Sequence, residues 1–416
     1  MINLIISILA ANFAGNKGAA AMLQSSIKNI SSKVEGVQYK LLSVYPEEDR
    51  AQNPYENLEV VSCKPEKTIF LAFPLAILYR IFHWVKPLRQ LFLTNNILKA
   101  IDASDLILDE AGISFVDSRG FVMNTYNFIC MAIPLLLGKP VVKYSQAMGP
   151  FNKFCNRTLA KLVLPRLKRI GARGNVTKAY LDELGLKNTV LCADGAFLML
   201  DDPNEKNRVQ EITKGDTFYN GKVISLSISS VVEKYCEKIG IDYKGIMVDF
   251  IDYLIDKKGY GVLIMANAAR KGKGGRKNND LHVCQAVFDL VKNREGCRWY
   301  NEEFTPEAIR EFIALSQLMV ASRFHAMIGA LYKKVPVLLV GWSHKYKEVL
   351  DMFSLGQNAV DYKKLNLQDL IDTFNVFEDN QDEIRRNIES HLEDVQASSA
   401  LNHQMVIDEL RRTKCH

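Results

Sequence analysis

The chain has 416 residues, 48% of them hydrophobic and 24% charged, with a formal net charge of +6. That size and balance suit a folded protein with two sizeable cores and exclude a disordered or low-complexity chain. The mild positive charge favours anionic partners such as phosphates or lipid head groups and argues against duplex nucleic acid. Eight cysteines lie between Cys63 and Cys415 with no Cys-x-x-Cys pair and no histidine at zinc-ligand spacing. The expectation is reduced, buried thiols in the cytoplasm, and no metal site.

In chain order, Met1 to Ala10 could pass for a signal core, but it lacks a basic leader and runs into a glycine loop. Leu4 to Leu9 is therefore read as a first strand. Asn12 to Gly18 is the loop, and Ala19 to Ile30 a helix with apolar residues at Met22, Leu23, Ile27 and Ile30. Gly15 and Gly18, flanking Asn16 and Lys17, would let backbone amides close on an anion. The phosphate-loop and dinucleotide fingerprints are both incomplete, so a tight turn opening a Rossmann-like domain is the plainer explanation.

Tyr39 to Val44 reads as a strand, and Thr68 to Pro87 is the most hydrophobic stretch. Pro74 interrupts it, Arg80 and His83 sit inside it, and it falls short of the roughly 20 residues a membrane-spanning helix needs. A partly exposed helical hairpin is expected near 68–93. Phe82, Trp84, Leu88, Leu91 and Phe92 beside Arg80, Lys86 and Arg89 have the make-up of an interfacial anchor on an anionic membrane; a core helix with a charged outer face fits equally.

Leu106 begins a buried strand that ends at Asp109 and Glu110, with Asp117 beyond. Phe121 to Leu137 is an apolar helix, and Pro140 to Ser145 a strand running into Gln146-Ala-Met-Gly-Pro150. Lys153 to Leu167 is a helix whose basic residues read as a solvated face. Arg173 closes a short strand before the helix Val176 to Leu184, and Asp194 reads as a helix cap or a site residue. Asp201 to Asn207 combines charge, Pro and Asn without an apolar period. It places a linker at 201–215 between an N-terminal domain, 1–200, and a C-terminal domain, 216–380.

The second half alternates again. Lys222 to Ile228 and Gly261 to Met265 are strands, Gly245 to Lys257 and Asp280 to Lys292 helices, and a short strand lies near Trp299. The loop from Asn267 to Asp280 interleaves five basic residues with three glycines. It is either a flap over a diphosphate or a solvated surface loop. Leu318 to Ala321 is a buried strand, so Ser322, Arg323 and His325 fall at the start of the helix that follows, where orphan backbone N–H groups attract anions. Pro336 to Val340 is the next strand and delivers Trp342, Ser343, His344 and Lys345. A helix from Gln381 fills the segment 381–416 and is expected to pack back on the first domain. Alternation in both halves predicts an α/β protein of two doubly wound, Rossmann-like domains facing a cleft, the GT-B-type architecture of glycosyltransferases.

Four motifs carry a resemblance. Asn12-Phe-Ala-Gly-Asn-Lys-Gly-Ala19, Gln146-Ala-Met-Gly-Pro150, Ala193-Asp-Gly-Ala-Phe197 and Ser322-Arg-Phe-His-Ala326 with its Pro-Val strand resemble, in order, the polysaccharide pyruvyl transferase family. That family's usual form of the last motif is Ser-Arg-Leu-His. The chain departs from it at Glu110-Ala111, where a glycine-rich turn is usual, and at Gly174, where an acid commonly follows the arginine.

The resemblance implies an enzyme that moves the enolpyruvyl group of phosphoenolpyruvate onto a hydroxyl pair of a hexose in a surface-polysaccharide precursor, forming a pyruvate ketal and releasing phosphate. Phosphoenolpyruvate is a co-substrate, and no cofactor is expected. The N-terminal domain would take the acceptor and the C-terminal domain the donor. His325 is the expected proton carrier, since an imidazole can carry a proton either way near neutrality. Without the resemblance, a histidine bonded to backbone is the plainer reading.

Arg323 and Arg173 would hold the donor's carboxylate and phosphate through their planar forks. Asp109 is the expected catalytic carboxylate, with Glu110 and Asp117 left open as alternatives. Ser322, His344, Lys345, Asn16, Lys17, Glu110 and Gln146 would line the substrates. The acceptor is expected on a polyprenyl diphosphate, with the protein peripheral on the inner face of the cell membrane. Three other readings stay open: a GT-B-type glycosyltransferase or a sugar-nucleotide epimerase holding a nucleotide sugar with Arg323 and the basic loop, and a non-enzymatic membrane scaffold built on the apolar segment.

Overall fold

The computed structural model describes residues 4–272, 279–341 and 344–414. It divides into two compact units, one holding the chain up to Ala14, Met22–Met199 and the residues from Ala397 on, the other holding Gly15–Ala21 and Leu200–Gln396.

In the first half, β1 (Ile5–Leu9) is followed by the two-residue β2 (Gly15–Asn16), which belongs to the second unit. Then come β3 (Gln38–Ser43), β4 (Leu58–Ser62), β5 (Leu106–Asp109), β6 (Val141–Gln146), β7 (Arg169–Arg173) and β8 (Thr189–Cys192). All but β2 form one parallel sheet in the order β4-β3-β1-β5-β6-β7-β8. Strands buried on both faces need near-continuous apolar runs, which is what Ile5 to Leu9 and Leu106 to Leu108 supply. Ile6, Ile8 and Leu106 to Leu108 are wholly buried.

The second half contributes β9 (Val223–Ser227), β10 (Gly261–Met265), β11 (Ala268–Ala269), β12 (Cys297–Trp299), β13 (Leu318–Ala321), β14 (Val337–Gly341) and β15 (Ala359–Asp361). Its parallel sheet runs β12-β10-β9-β13-β14-β15, and β11 pairs separately and antiparallel with β2. In each unit the chain leaves the central strand in one direction, then returns to its other side. Both units are therefore doubly wound, with switch points at β1/β5 and β9/β13, and the carboxyl ends there are where such folds bind ligands.

The stretch read as a linker contains the helix Pro203–Thr213, with Asp202 accepting from Asn204 N at 2.9 Å as its cap and Val209 as its buried anchor. Charge, Pro and Asn without an apolar period suggest a linker, but here Asp202 caps and Pro203 opens a helix. The C-terminal helix is a single element, Gln381–Lys414. Its later part belongs to the first unit, where the Ser399 hydroxyl donates to Asp194 O at 2.7 Å and Asn402 Nδ2 to Ala193 O at 2.9 Å.

The apolar segment folds as a π-helical turn, Thr68–Ala72, and two short helices, Phe73–Phe82 and Lys86–Phe92. No helix among the described residues is long and apolar enough to cross a membrane.

Candidate functional site

In the second unit, β13 ends at Ala321, Ser322 follows buried, and the helix Phe324–Tyr332 begins, which leaves Arg323 at the cap position with extended backbone, φ −120° and ψ 135°. Ser322 N donates to Ser227 O at 2.9 Å, and its hydroxyl accepts from Tyr243 at 2.9 Å. Ser322 is thus bound into the strand ends.

Arg323 faces Asp280 through both edges of a fork: Nε donates to Oδ2 at 2.8 Å, and Nη2 bonds Oδ1. Asp280 is wholly buried and also accepts from Ser230 N at 2.9 Å, Ser230 Oγ at 3.0 Å and Ala268 N at 2.9 Å. Burial works against the guanidinium charge, but Asp280 outweighs it and holds Arg323 above its ordinary pKa.

The first turn of the helix Lys17–Ser31 belongs to this same unit. The β2–β11 pairing anchors it, Lys17 N donates to Asn267 O at 3.1 Å, and Asn16 Oδ1 accepts from Gly18 N at 3.1 Å. The Lys17 side chain is buried, with Nζ 2.9 Å from Glu303 Oε1. His325 is half-buried and lies so close to Gly18 that a Cβ there would overlap Nδ1 and Cγ of the ring. Gly18 is required by this contact rather than by its dihedrals.

Phe324 stands edge-on to the imidazole at 5.0 Å between centroids, and Lys345 Nζ sits 4.9 Å from the centre of the Phe324 ring. Arg270 runs along Gly15, its Cδ 3.1 Å from where a Cβ would be. Two helix N-termini therefore meet at His325, and both present the positive end of a helix dipole. His344 opens the helix His344–Asp351. Its side chain, Trp342, Ser343 and residues 273–278 of the basic loop lie outside the described residues.

In the first unit, Asp109 at the end of β5 is buried and paired with Lys143 of β6. Gln146 Nε2 donates to Asp109 O at 2.9 Å and to its Oδ2 at 3.0 Å, and Gln146 Oε1 accepts from Lys143 Nζ at 3.1 Å and from Ser114 Oγ at 2.6 Å. Glu110 is also buried, its N donating to Leu9 O at 3.0 Å. Burial pushes its carboxyl up to about 8; the Ser26 hydroxyl opposes that rise and the Asp109 charge adds to it.

Arg173 is buried with Nη1 2.5 Å from Asp194 Oδ2 and Nη2 2.6 Å from Gly112 O. Asp117 is spent on structure, accepting from Asn152 N, Lys153 N and Asn156 Nδ2 at 2.8, 3.2 and 2.9 Å.

The residues singled out in the sequence thus fall into two groups. Asn16, Lys17, Ser322, Arg323, His325 and Lys345 gather in the second unit; Asp109, Glu110, Gln146 and Arg173 stand at strand ends of the first. Sequence reasoning missed the partners. Asp280 and Glu303 carry no local signal. Lys143 carried one, as the single charge in the apolar strand Val141 to Tyr144. Asp49 was missed too: its Oδ1 accepts from Phe13 N at 2.8 Å and Ala14 N at 2.9 Å, fixing the glycine loop, and burial holds its carboxyl above the usual range.

A family model described as polysaccharide pyruvyl transferase matches residues 16–344. A search of curated proteins finds no match. Among solved structures, the chain is similar to UDP-GlcNAc 2-epimerase from Neisseria meningitidis bound to UDP-GlcNAc, at 12% identity over 97% of this chain and 99% of that one, TM-score 0.55. It is also similar to an alpha,alpha-trehalose-phosphate synthase (UDP-forming) from Burkholderia vietnamiensis, at 10% identity over 99% of this chain and 98% of that one, TM-score 0.57. At such identities the likeness speaks for the fold alone, which is of the GT-B type.

Two outcomes follow from these buried charges. Glu110 has an ordinary value of 4.5 and is held near 8 when folded. Its contribution is fully present below about pH 4.5 and falls by about 1.4 kcal/mol per pH unit as pH rises towards 8. Glu110→Gln removes that slope, so urea midpoints of variant and wild type should converge in acid and separate in the variant's favour by pH 8; parallel profiles would contradict the assignment. Lys143→Met strands the Asp109 carboxylate and should lower unfolding free energy by about 3–5 kcal/mol in urea titrations.

Proposed function

Because the chain belongs to the polysaccharide pyruvyl transferase family, we propose that it transfers the enolpyruvyl group of phosphoenolpyruvate to a hydroxyl pair of a hexose in a polysaccharide precursor, releasing phosphate and leaving a pyruvate ketal. The precursor is carried on a polyprenyl diphosphate and met at the inner face of the membrane. The observation that carries this reading is the imidazole of His325 held against Gly18 where two helix N-termini converge. That surrounding suits a doubly anionic donor beside a group able to move a proton.

The chemistry balances without a cofactor. The enol methylene gains a proton, one sugar hydroxyl adds to the central carbon, the carbon–oxygen bond to phosphate breaks, and the second hydroxyl closes the ring. Of the two hydroxyl protons, one restores the acid and the other leaves on phosphate. His325 serves as the proton carrier. Arg323, already oriented by Asp280, and Lys345 supply positive charge to the donor's carboxylate and phosphate.

His325→Asn should keep the fold and lower phosphoenolpyruvate-dependent phosphate release by about 10²–10⁴-fold. Near-normal turnover in a folded variant would remove His325 from the chemistry. Gly18→Ala should impair turnover through displacement of the same ring, with the thermal midpoint reporting any loss of fold. Binding is read separately by thermal shift: phosphoenolpyruvate at 100 times its dissociation constant should add about 2.7 kcal/mol to wild type. Stabilisation by UDP-sugars alone would favour a glycosyltransferase or epimerase.

A further inference from the structure

The charges are unevenly spread along the chain. Residues 67–101 and 118–181 hold 16 Lys and Arg and no Asp or Glu. Taking those 16 from the total of 53 leaves 37 basic against 47 acidic residues elsewhere. Of the 16, Lys143 and Arg173 are buried against Asp109 and Asp194, and Arg89, Arg169 and Lys178 pair with Asp102, Glu409 and Asp182, so 11 remain to make these stretches positive. Both lie in the first unit.

The same stretches expose large apolar side chains. Phe70, Trp84, Val122 and Phe154 are 79%, 73%, 80% and 81% exposed, and Leu91 and Phe121 are exposed beside them in sequence. Isolated exposed apolar residues are ordinary, but several on adjoining helices mark a contact surface. These helices do adjoin. The helix Phe73–Phe82 packs on Gly120–Leu136, with Phe73 and Phe128 edge to face at 6.4 Å. Asp117 binds Asn152 N and Lys153 N, which seats the start of the helix Phe154–Val163 beside the start of Gly120–Leu136. Lys86, Lys153, Arg157 and Lys161 are exposed on or next to the same helices.

We propose that this composite surface docks the protein on an anionic lipid bilayer, the apolar tips entering the head-group region and the basic side chains meeting lipid charge. It extends past the apolar segment near 68–93 to the first turns of two later helices. A lipid surface is the occupant the charge pattern fits, because the exposed cations Lys86, Lys153, Arg157 and Lys161 stand on or next to the helices that carry the apolar tips and match an anionic plane. The proposal deepens the reading of a lipid-carried acceptor, but its test does not depend on catalysis.

The full chain is sedimented with vesicles of phosphatidylcholine and with vesicles of equal parts phosphatidylcholine and phosphatidylglycerol, at low and high salt. The expected result is binding to the anionic vesicles that weakens with salt. The double variant Val122→Ser, Phe154→Ser should bind about tenfold less with an unchanged thermal midpoint and unchanged stabilisation by phosphoenolpyruvate. Absence of wild-type binding, equal binding to both vesicles, or full retention by the variant overturns the proposal. So does a salt-resistant dimer on gel filtration that the same substitutions dissociate, which would assign the surface to a second copy. Loss of phosphoenolpyruvate stabilisation with vesicle binding intact would count against the transferase reading alone.

Discussion

One buried carboxylate organises the switch point of the second unit. Asp280 has no exposed surface, and an ionised carboxylate in that position is tolerable only if donors surround it. Those donors come from three separate crossings: Ser230 after β9, Ala268 after β10 and Arg323 after β13. Satisfying one charge therefore fixes three loop starts against each other. The arginine of the Ser-Arg-Phe-His motif is part of that arrangement, so it sets the direction of these loop starts before any substrate arrives.

The first unit repeats the device with different chemistry. Asp109 lies beside Leu9 in the β1/β5 register, at the corresponding switch point, and takes its cation from the neighbouring strand. An ammonium is a point charge without directional preference, whereas a guanidinium fork fixes two bonds at once. This explains why Gln146 and Ser114 are needed around Lys143: they supply the orientation that a lysine lacks.

The alternation of strands and helices was legible because parallel strands buried on both faces read as continuous apolar runs. The helix Pro203–Thr213 was not, since a capped polar helix with one buried valine has too weak a period to separate from a linker. At the site, the residue types were legible and their partners were not. Asp280 reads as the first residue of a helix after a basic, glycine-rich loop, and its burial depends on Arg323, 43 residues later. Gly18 reads as an anion-loop glycine, while its contact is with His325, far along the chain. Neither relation has a local period or motif, so only the folded chain could supply it.

Buried ion pairs usually add little stability over apolar packing of the same volume, so their presence at both switch points needs a reason other than holding the fold. Orientation is that reason. An apolar replacement for Asp280 and Arg323 could keep the strands together, but it would leave the turn from Ser322 to His325 without the bonds that set its direction. The same holds for Gly18, where any side chain would be compatible with a helix and incompatible with the imidazole. The residues that are hardest for the fold to accommodate are thus those that aim other residues, and they stand at the strand ends rather than in the core.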